Sequence, residues 1–150
     1  MSIKKYDLIY EVSGLVPKPV TVALKDELTI SEDIDSEVDE AAARFGYYAV
    51  LAEKAESRCE RLKLNFNLWE ADIKVRRNEE CEIAKEKKLT EGQMKAYVMS
   101  QDKYKTYQLK LIVLKEQRDV MKVIARAFEK KADLIQTKAS NRRSEAQRSR

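Results

Sequence analysis

Between Ile34 and Ile73, residues taken at alternating steps of four and three are all apolar or aromatic: Ile34, Val38, Ala41, Phe45, Tyr48, Ala52, Ala55, Cys59, Leu62, Phe66, Trp69 and Ile73. The residues between them are mostly charged or small. A 3.5-residue spacing sustained over this length is the seam of a long helix that packs against other helices. At 1.5 Å per residue it predicts a rod about 60 Å long. The seam fails at its next positions, Arg76 and Glu80, where basic residues gather.

A second seam follows: Tyr104, Tyr107, Leu111, Leu114, Arg118, Met121, Ala125, Phe128, Ala132, Ile135 and Ala139, interrupted only by Arg118. Beside it run Leu109, Val113, Val120, Val123, Ala127 and Leu134, and the first helix has extra apolar positions at Val50, Leu51, Leu64, Leu68 and Val75. Two apolar stripes exceed what one partner helix covers, which predicts association of subunits. Three glycines and two prolines in 150 residues, 37% of them charged, supply too little turn chemistry for a sheet protein. The expected fold is therefore all-α: a coiled-coil-like helical hairpin with a short corner helix and an N-terminal arm, assembled into a ring-like homo-oligomer. The expected divisions are an arm at 1–30, a hairpin domain at 31–139 with helices at about 35–87, 91–99 and 102–139, and a basic tail at 140–150.

Local signals fill in this outline. Ser31 to Glu40 is acidic, with Asp33, Asp35 or Ser36 as N-cap, a composition that complements the positive end of a helix dipole. Gly46 costs about 1 kcal/mol relative to alanine, which predicts a backbone or ring passing close by. Thr90-Glu91-Gly92-Gln93 has capping-box spacing, and Ser100 or Asp102 is expected to cap the last helix. In the arm, Tyr6, Leu8, Tyr10 and Val12 alternate, as do Val20, Val22 and Leu24. Gly14, Pro17 and Pro19 interrupt them, so a short helix or strand is expected near residues 20–28, folded onto the rod or reaching to a neighbouring subunit. Arg142, Arg143, Arg148 and Arg150 form an expected frayed tail.

The chain has no histidine, which removes the commonest general base and metal ligand. Cys59 and Cys81, on one helix, would stand about 33 Å apart, beyond the reach of a disulfide. Glu79-Glu80 lacks a partnering nucleophile, and there is no phosphate-cradling glycine loop. An enzyme is not expected, nor any cofactor or metal. Without a long apolar run or a signal-peptide pattern, the expected location is cytoplasmic, in the host cell if phage-encoded, with no membrane partner.

Charge is polarised. Residues 1–60 carry seven Lys/Arg against thirteen Asp/Glu, and residues 61–150 carry 23 against 13. Such a chain suits a polyanion partner for its second part. Lys74, Arg77, Cys81, Lys85 and Lys88, spaced 3, 4, 4 and 3, share a sector of about 80° on a helix, with Glu79, Glu80, Glu82 and Glu86 on other faces. That stripe, about 20 Å long, has the residue types that follow phosphates. Arg76 points elsewhere, toward a subunit pair or a second phosphate contact. The bland alternative is that these charges only solvate a helix. Phe66, Trp69, Tyr104 and Tyr107 fall on seams and read as core, although Lys103, Lys105 and Lys110 flank the tyrosines and leave base stacking open.

The order of motifs is similar to a known family. Ile34-Asp35 leads into Phe45-Gly46-Tyr47-Tyr48, and a charged stretch reaches Ile73-Lys74-Val75-Arg76-Arg77. Lys88-Leu89-Thr90-Glu91 makes the corner, Asp102-Lys103-Tyr104 opens the last helix, and Ala127-Phe128-Glu129 with Arg142-Arg143 closes it. Over about residues 25–145 this resembles the UvsY family of phage recombination mediators. The resemblance implies a helical oligomer that binds single-stranded DNA and hydrolyses nothing. It also implies two protein partners, a RecA-like recombinase and the single-strand DNA-binding protein that the recombinase displaces. The family's Lys-x-Arg element matches Lys74-Val75-Arg76. The nucleic-acid-binding residues expected are thus Lys74, Arg76, Arg77, Lys85 and Lys88. The chief rival is a coiled-coil scaffold or assembly protein with no nucleic-acid role. A third class is a helical adaptor that binds protein through residues 1–25.

Overall fold

The computed structural model describes residues 9–16 and 18–149. In chain order the elements are β1 (Ile9–Val12), β2 (Val20–Ala23), α1 (Leu24–Leu28), α2 (Ile34–Ile83), α3 (Glu91–Met99) and α4 (Asp102–Arg148). The protein is all-α but for one small addition. Strands β1 and β2 pair antiparallel, Ile9 opposite Ala23 and Val12 opposite Val20. The alternation around Tyr10 and Val22 is this hairpin, and Gly14 at φ 70° lets the chain turn between the strands. Tyr6, Leu8, Pro17 and Arg150 lie outside the described residues.

The chain forms two compact units, one from the described residues up to Ala55 together with those from Asp119 on, the other Glu56–Arg118. Helices α2 and α4 contribute to both. Every seam residue from Ile34 to Ile73 and from Tyr104 to Ala139 is buried or half-buried, as a 3.5-residue spacing requires.

In the first unit α2 and α4 run antiparallel, with the Tyr48 and Phe128 rings stacked at 4.1 Å between centroids. Around them lie Leu51, Ala52, Ala55, Met121 and Ile124. Val12, Leu15 and Val22 of the arm complete this core, and Val12 and Val22 are each only 1% exposed. The arm therefore folds onto the helices. Asp33 is the N-cap of α2, its Oδ1 accepting from the Ser36 amide at 3.2 Å. Where a close neighbour was expected at Gly46, a Cβ would meet nothing within 4 Å. The basic tail also departs from expectation. It continues α4 to Arg148, and the Arg142 guanidinium donates to the Glu32 carbonyl at 3.1 Å.

In the second unit Phe66, Trp69, Tyr104 and Tyr107 form a ring cluster with centroids 5.5 to 5.9 Å apart. The capping box forms: the Gln93 amide donates to Thr90 Oγ1, and the Thr90 amide donates to Gln93 Oε1 at 2.9 Å. Ser100 closes α3, its hydroxyl donating to the Tyr97 carbonyl at 2.7 Å. Asp102 is the acid of the first turn of α4.

Helix α2 ends at Ile83, short of the expected end near 87. Lys85 takes φ 55°, the Lys85 amide donates to the Glu82 carbonyl and the Glu86 amide to that of Cys81. This pair of reversed bonds is a Schellman closure, which normally recruits glycine at the left-handed position. Because lysine occupies it, the stop signal is absent from the sequence.

Candidate nucleic-acid interface

The end of α2 carries all five expected residues, and the structure does not assemble them into one stripe. Lys74 and Arg77 precede the Schellman closure, whereas Lys85 lies within it and Lys88 beyond it, both off the helical face. The middle of that face is not solvated. Cys81 is 0% exposed, and the Arg77 guanidinium lies over the Tyr97 ring of α3 at 5.2 Å. Arg77 acts as a strut: its side chain is 27% exposed and ion-paired with Glu80 at 3.0 Å and Glu86 at 3.8 Å. The hydrogen bond it donates to Glu80 raises its pKa above the ordinary value, and its Nε is buried without a hydrogen-bond partner.

The other cations face outward, each but Lys85 with a carboxylate. Lys74 pairs with Glu70 and Arg76 with Asp72, both at 2.8 Å and each acid one helical turn before its base. Lys88 pairs with Glu82 at 2.6 Å, and their hydrogen bond raises the lysine pKa and lowers that of the glutamate. An acid four residues before a base is the favoured order for a helix pair, so the Glu70 and Asp72 partners were legible in the sequence. The wheel had sorted only the acids after Lys74. Exposed pairs of this sort are worth about 0.2–1 kcal/mol, so a phosphate can replace the carboxylate at little cost.

The aromatics expected as core pack ring against ring but are half-buried, not fully enclosed. The flanking Lys103, Lys105 and Lys110 are exposed on α4. Two further cations of this unit, Arg58 and Arg61 of α2, are also exposed. Spacing arithmetic passed over them because they lie beside the seam and not at its failure. The signal was their position flanking Cys59 and Leu62, at the rim of the buried face.

Most of the second apolar stripe is solvent-facing: Val50, Leu64, Leu68 and Val75 on α2, and Leu109, Val113, Val123 and Leu134 on α4, with Ile112 exposed beside them. Leu51 is buried in the first unit's core, and Val120 and Ala127 are half-buried. Ile83, beside the Schellman closure, is 84% exposed. Among the described residues no group of three His, Cys, Asp or Glu side chains is placed to hold a metal ion. No helix among them is long and apolar enough to cross a membrane. Both cysteines are free thiols. Comparison with protein-family models, curated proteins and solved structures gives no match.

Proposed function

We propose that this protein is a single-stranded DNA-binding recombination mediator that works as a homo-oligomer in the cytoplasm, with no catalysis of its own. The observation that carries the reading is the set of outward-facing cations on the Glu56–Arg118 unit. Lys74, Arg76 and Lys88 are restrained only by exposed ion pairs, and Lys85 stands beyond the helix end. The exposed apolar side chains of α2 and α4 support self-association. Copies in a ring repeat the cationic surface and add avidity without new contacts. The likeness to UvsY-type mediators supplies the remainder: loading a RecA-like recombinase onto DNA held by single-strand DNA-binding protein.

A scaffold or assembly protein is the second reading. It is favoured by the carboxylate that accompanies each of Lys74, Arg76, Arg77 and Lys88. The two are separated by fluorescence anisotropy of a labelled oligonucleotide, single-stranded and duplex, at low and high salt. The mediator reading expects preference for single strands and weakening by salt, in a species that light scattering shows to be oligomeric. Faster recombinase assembly on protein-covered single strands is expected alongside. No binding at low salt would leave the scaffold reading in its place. The adaptor reading suffers from the arm's burial, because deleting residues 1–25 removes Val12, Leu15 and Val22 from the core.

A further inference from the structure

A groove in the Glu56–Arg118 unit has a chemistry that the stripe lacks. It has a volume of about 590 Å³ and is lined by Arg58, Arg61, Leu62, Asn65, Leu109, Lys110, Val113 and Leu114. A second hollow of about 330 Å³ shares Leu62, Asn65 and Lys110 with it, and adds Lys103, Thr106 and Tyr107. Together they follow α4 from Leu114 to Lys103, about 16 Å at 1.5 Å per residue. No carboxylate lines either hollow. Among the described residues, none of Arg58, Arg61, Lys103 and Lys110 has an ion-pair partner, and Arg61 is held only through Nε, which donates to the Ser57 carbonyl at 3.4 Å. The cations of this groove therefore meet a phosphate without first giving up a carboxylate, whereas Lys74, Arg76, Arg77 and Lys88 each have one to exchange.

We infer that this groove is where a single strand of nucleic acid lies, its phosphates on Arg58, Arg61, Lys103 and Lys110 and its bases against the apolar floor. The inference rests on the nucleic-acid reading above and extends its site along the same unit. A line of cations over an apolar and aromatic floor is what single-strand channels present, since the backbone is charged and every base has an apolar face. Guanidinium groups suit phosphate through paired donors, and Asn65 and Thr106 offer polar contacts between the cations. An acidic peptide or a second copy of this chain would meet the same floor, because Leu109 and Val113 also belong to the exposed stripe. The alignment of four unpaired cations along the groove, with no acid among them, favours a partner charged at every repeat.

The magnitude follows from counterion release. Four phosphates neutralised on a single strand give a slope of log K against log salt of about −2.8, a loss of about fifty-fold between 50 and 200 mM salt. Arg61→Gln with Lys110→Gln removes two of the four. The slope then falls to about −1.4, and affinity at 100 mM salt drops roughly twenty-five-fold. All four side chains are exposed, so the fold tolerates the exchange, and circular dichroism and light scattering verify fold and mass.

The probe is a labelled oligothymidylate, titrated with wild type, with the groove variant and with Lys74→Gln/Arg76→Gln. The expected result is a loss for the groove variant, at unchanged mass, that clearly exceeds the loss for Lys74→Gln/Arg76→Gln. In the wild type, acylation of Lys103 and Lys110 should be slowed by oligothymidylate, while that of Lys54 is not. If the wild type binds and only Lys74→Gln/Arg76→Gln loses affinity, the groove is excluded and the DNA-binding reading survives. If the groove variant loses affinity only by dissociating, the groove is a self-association surface. Equal displacement by polyglutamate makes the occupant an acidic peptide, and absence of wild-type binding at 50 mM salt removes both proposals.

Discussion

Lys131 is the one charged side chain among the described residues that is buried, at 6% exposure, and its surroundings set a measurable cost for disturbing it. Its Nζ lies 3.0 Å from the Glu37 carboxylate and donates to the Glu27 carbonyl at 2.9 Å, so α4 is tied both to α1 and to the first turn of α2. Glu37→Gln removes the countercharge and leaves a buried ammonium with one neutral acceptor assured. Breaking a buried pair in this way costs about 3–5 kcal/mol, and the lower end applies because the Glu37 side chain still reaches water. The double replacement Glu37→Leu/Lys131→Met removes both charges together and is expected to fall within about 1 kcal/mol of wild type. Urea unfolding followed by circular dichroism measures each. With an m-value of about 1–3 kcal/mol/M, a 3 kcal/mol loss moves the midpoint by at least about 1 M.

The same residue predicts a pH dependence. The Ser31 amide, donating to Glu37 Oε1 at 3.0 Å, is the main influence lowering its pKa below 4.5; burial opposes and the Lys131 ammonium assists. A folded pKa below the unfolded one means stability that is present above the unfolded value and lost as pH falls through the folded one. Wild type should therefore lose stability as pH drops below about 4.5 more steeply than Glu37→Gln does. A single variant costing under 1 kcal/mol, or a double variant as damaging as the single, would refute the claim that this buried pair ties α4 to the first turn of α2.

Three further substitutions probe other links. Gly46→Ala should raise stability by about 1 kcal/mol in thermal unfolding, because the site is helical and open, and only the glycine's entropy is at stake. Phe128→Ala should cost about 3–5 kcal/mol, since the ring is buried and stacked on Tyr48. Lys85→Gly should stabilise the protein by about 1 kcal/mol by relieving a left-handed lysine. With a groove-bound strand its effect on oligonucleotide affinity should be small.

The helical plan was legible because its signal is periodic and long. Each seam position between Ile34 and Ile73 found a buried or half-buried place, and the Thr90 capping box and the Asp33 N-cap formed from side chains that determine them locally. Where the reading was incomplete, the cause was a contact between residues distant in sequence or a stop without its usual residue. The arm's four-residue strands are too short for a secure pattern, and they are held by Met121 and Phe128, about a hundred residues away in the chain. The stop after Ile83 used lysine in place of glycine and so extended the apparent helix. The tail's helix also lay beyond what its polar composition announced.

For the candidate site the division is sharper. Residue types and spacing alone determined that the second part of the chain is basic, that it carries no histidine chemistry, and that its long helices have more apolar surface than one pairing covers. Only the tertiary structure decided which cations are available. A helical wheel assigns directions, but whether a direction meets water, a carboxylate or another helix depends on α3, whose Tyr97 ring lies against the Arg77 guanidinium. It depends equally on α4, which placed Lys103 and Lys110 at hollows shared with residues of α2. Electrostatic availability is a property of neighbours in space, and one-dimensional spacing does not contain it.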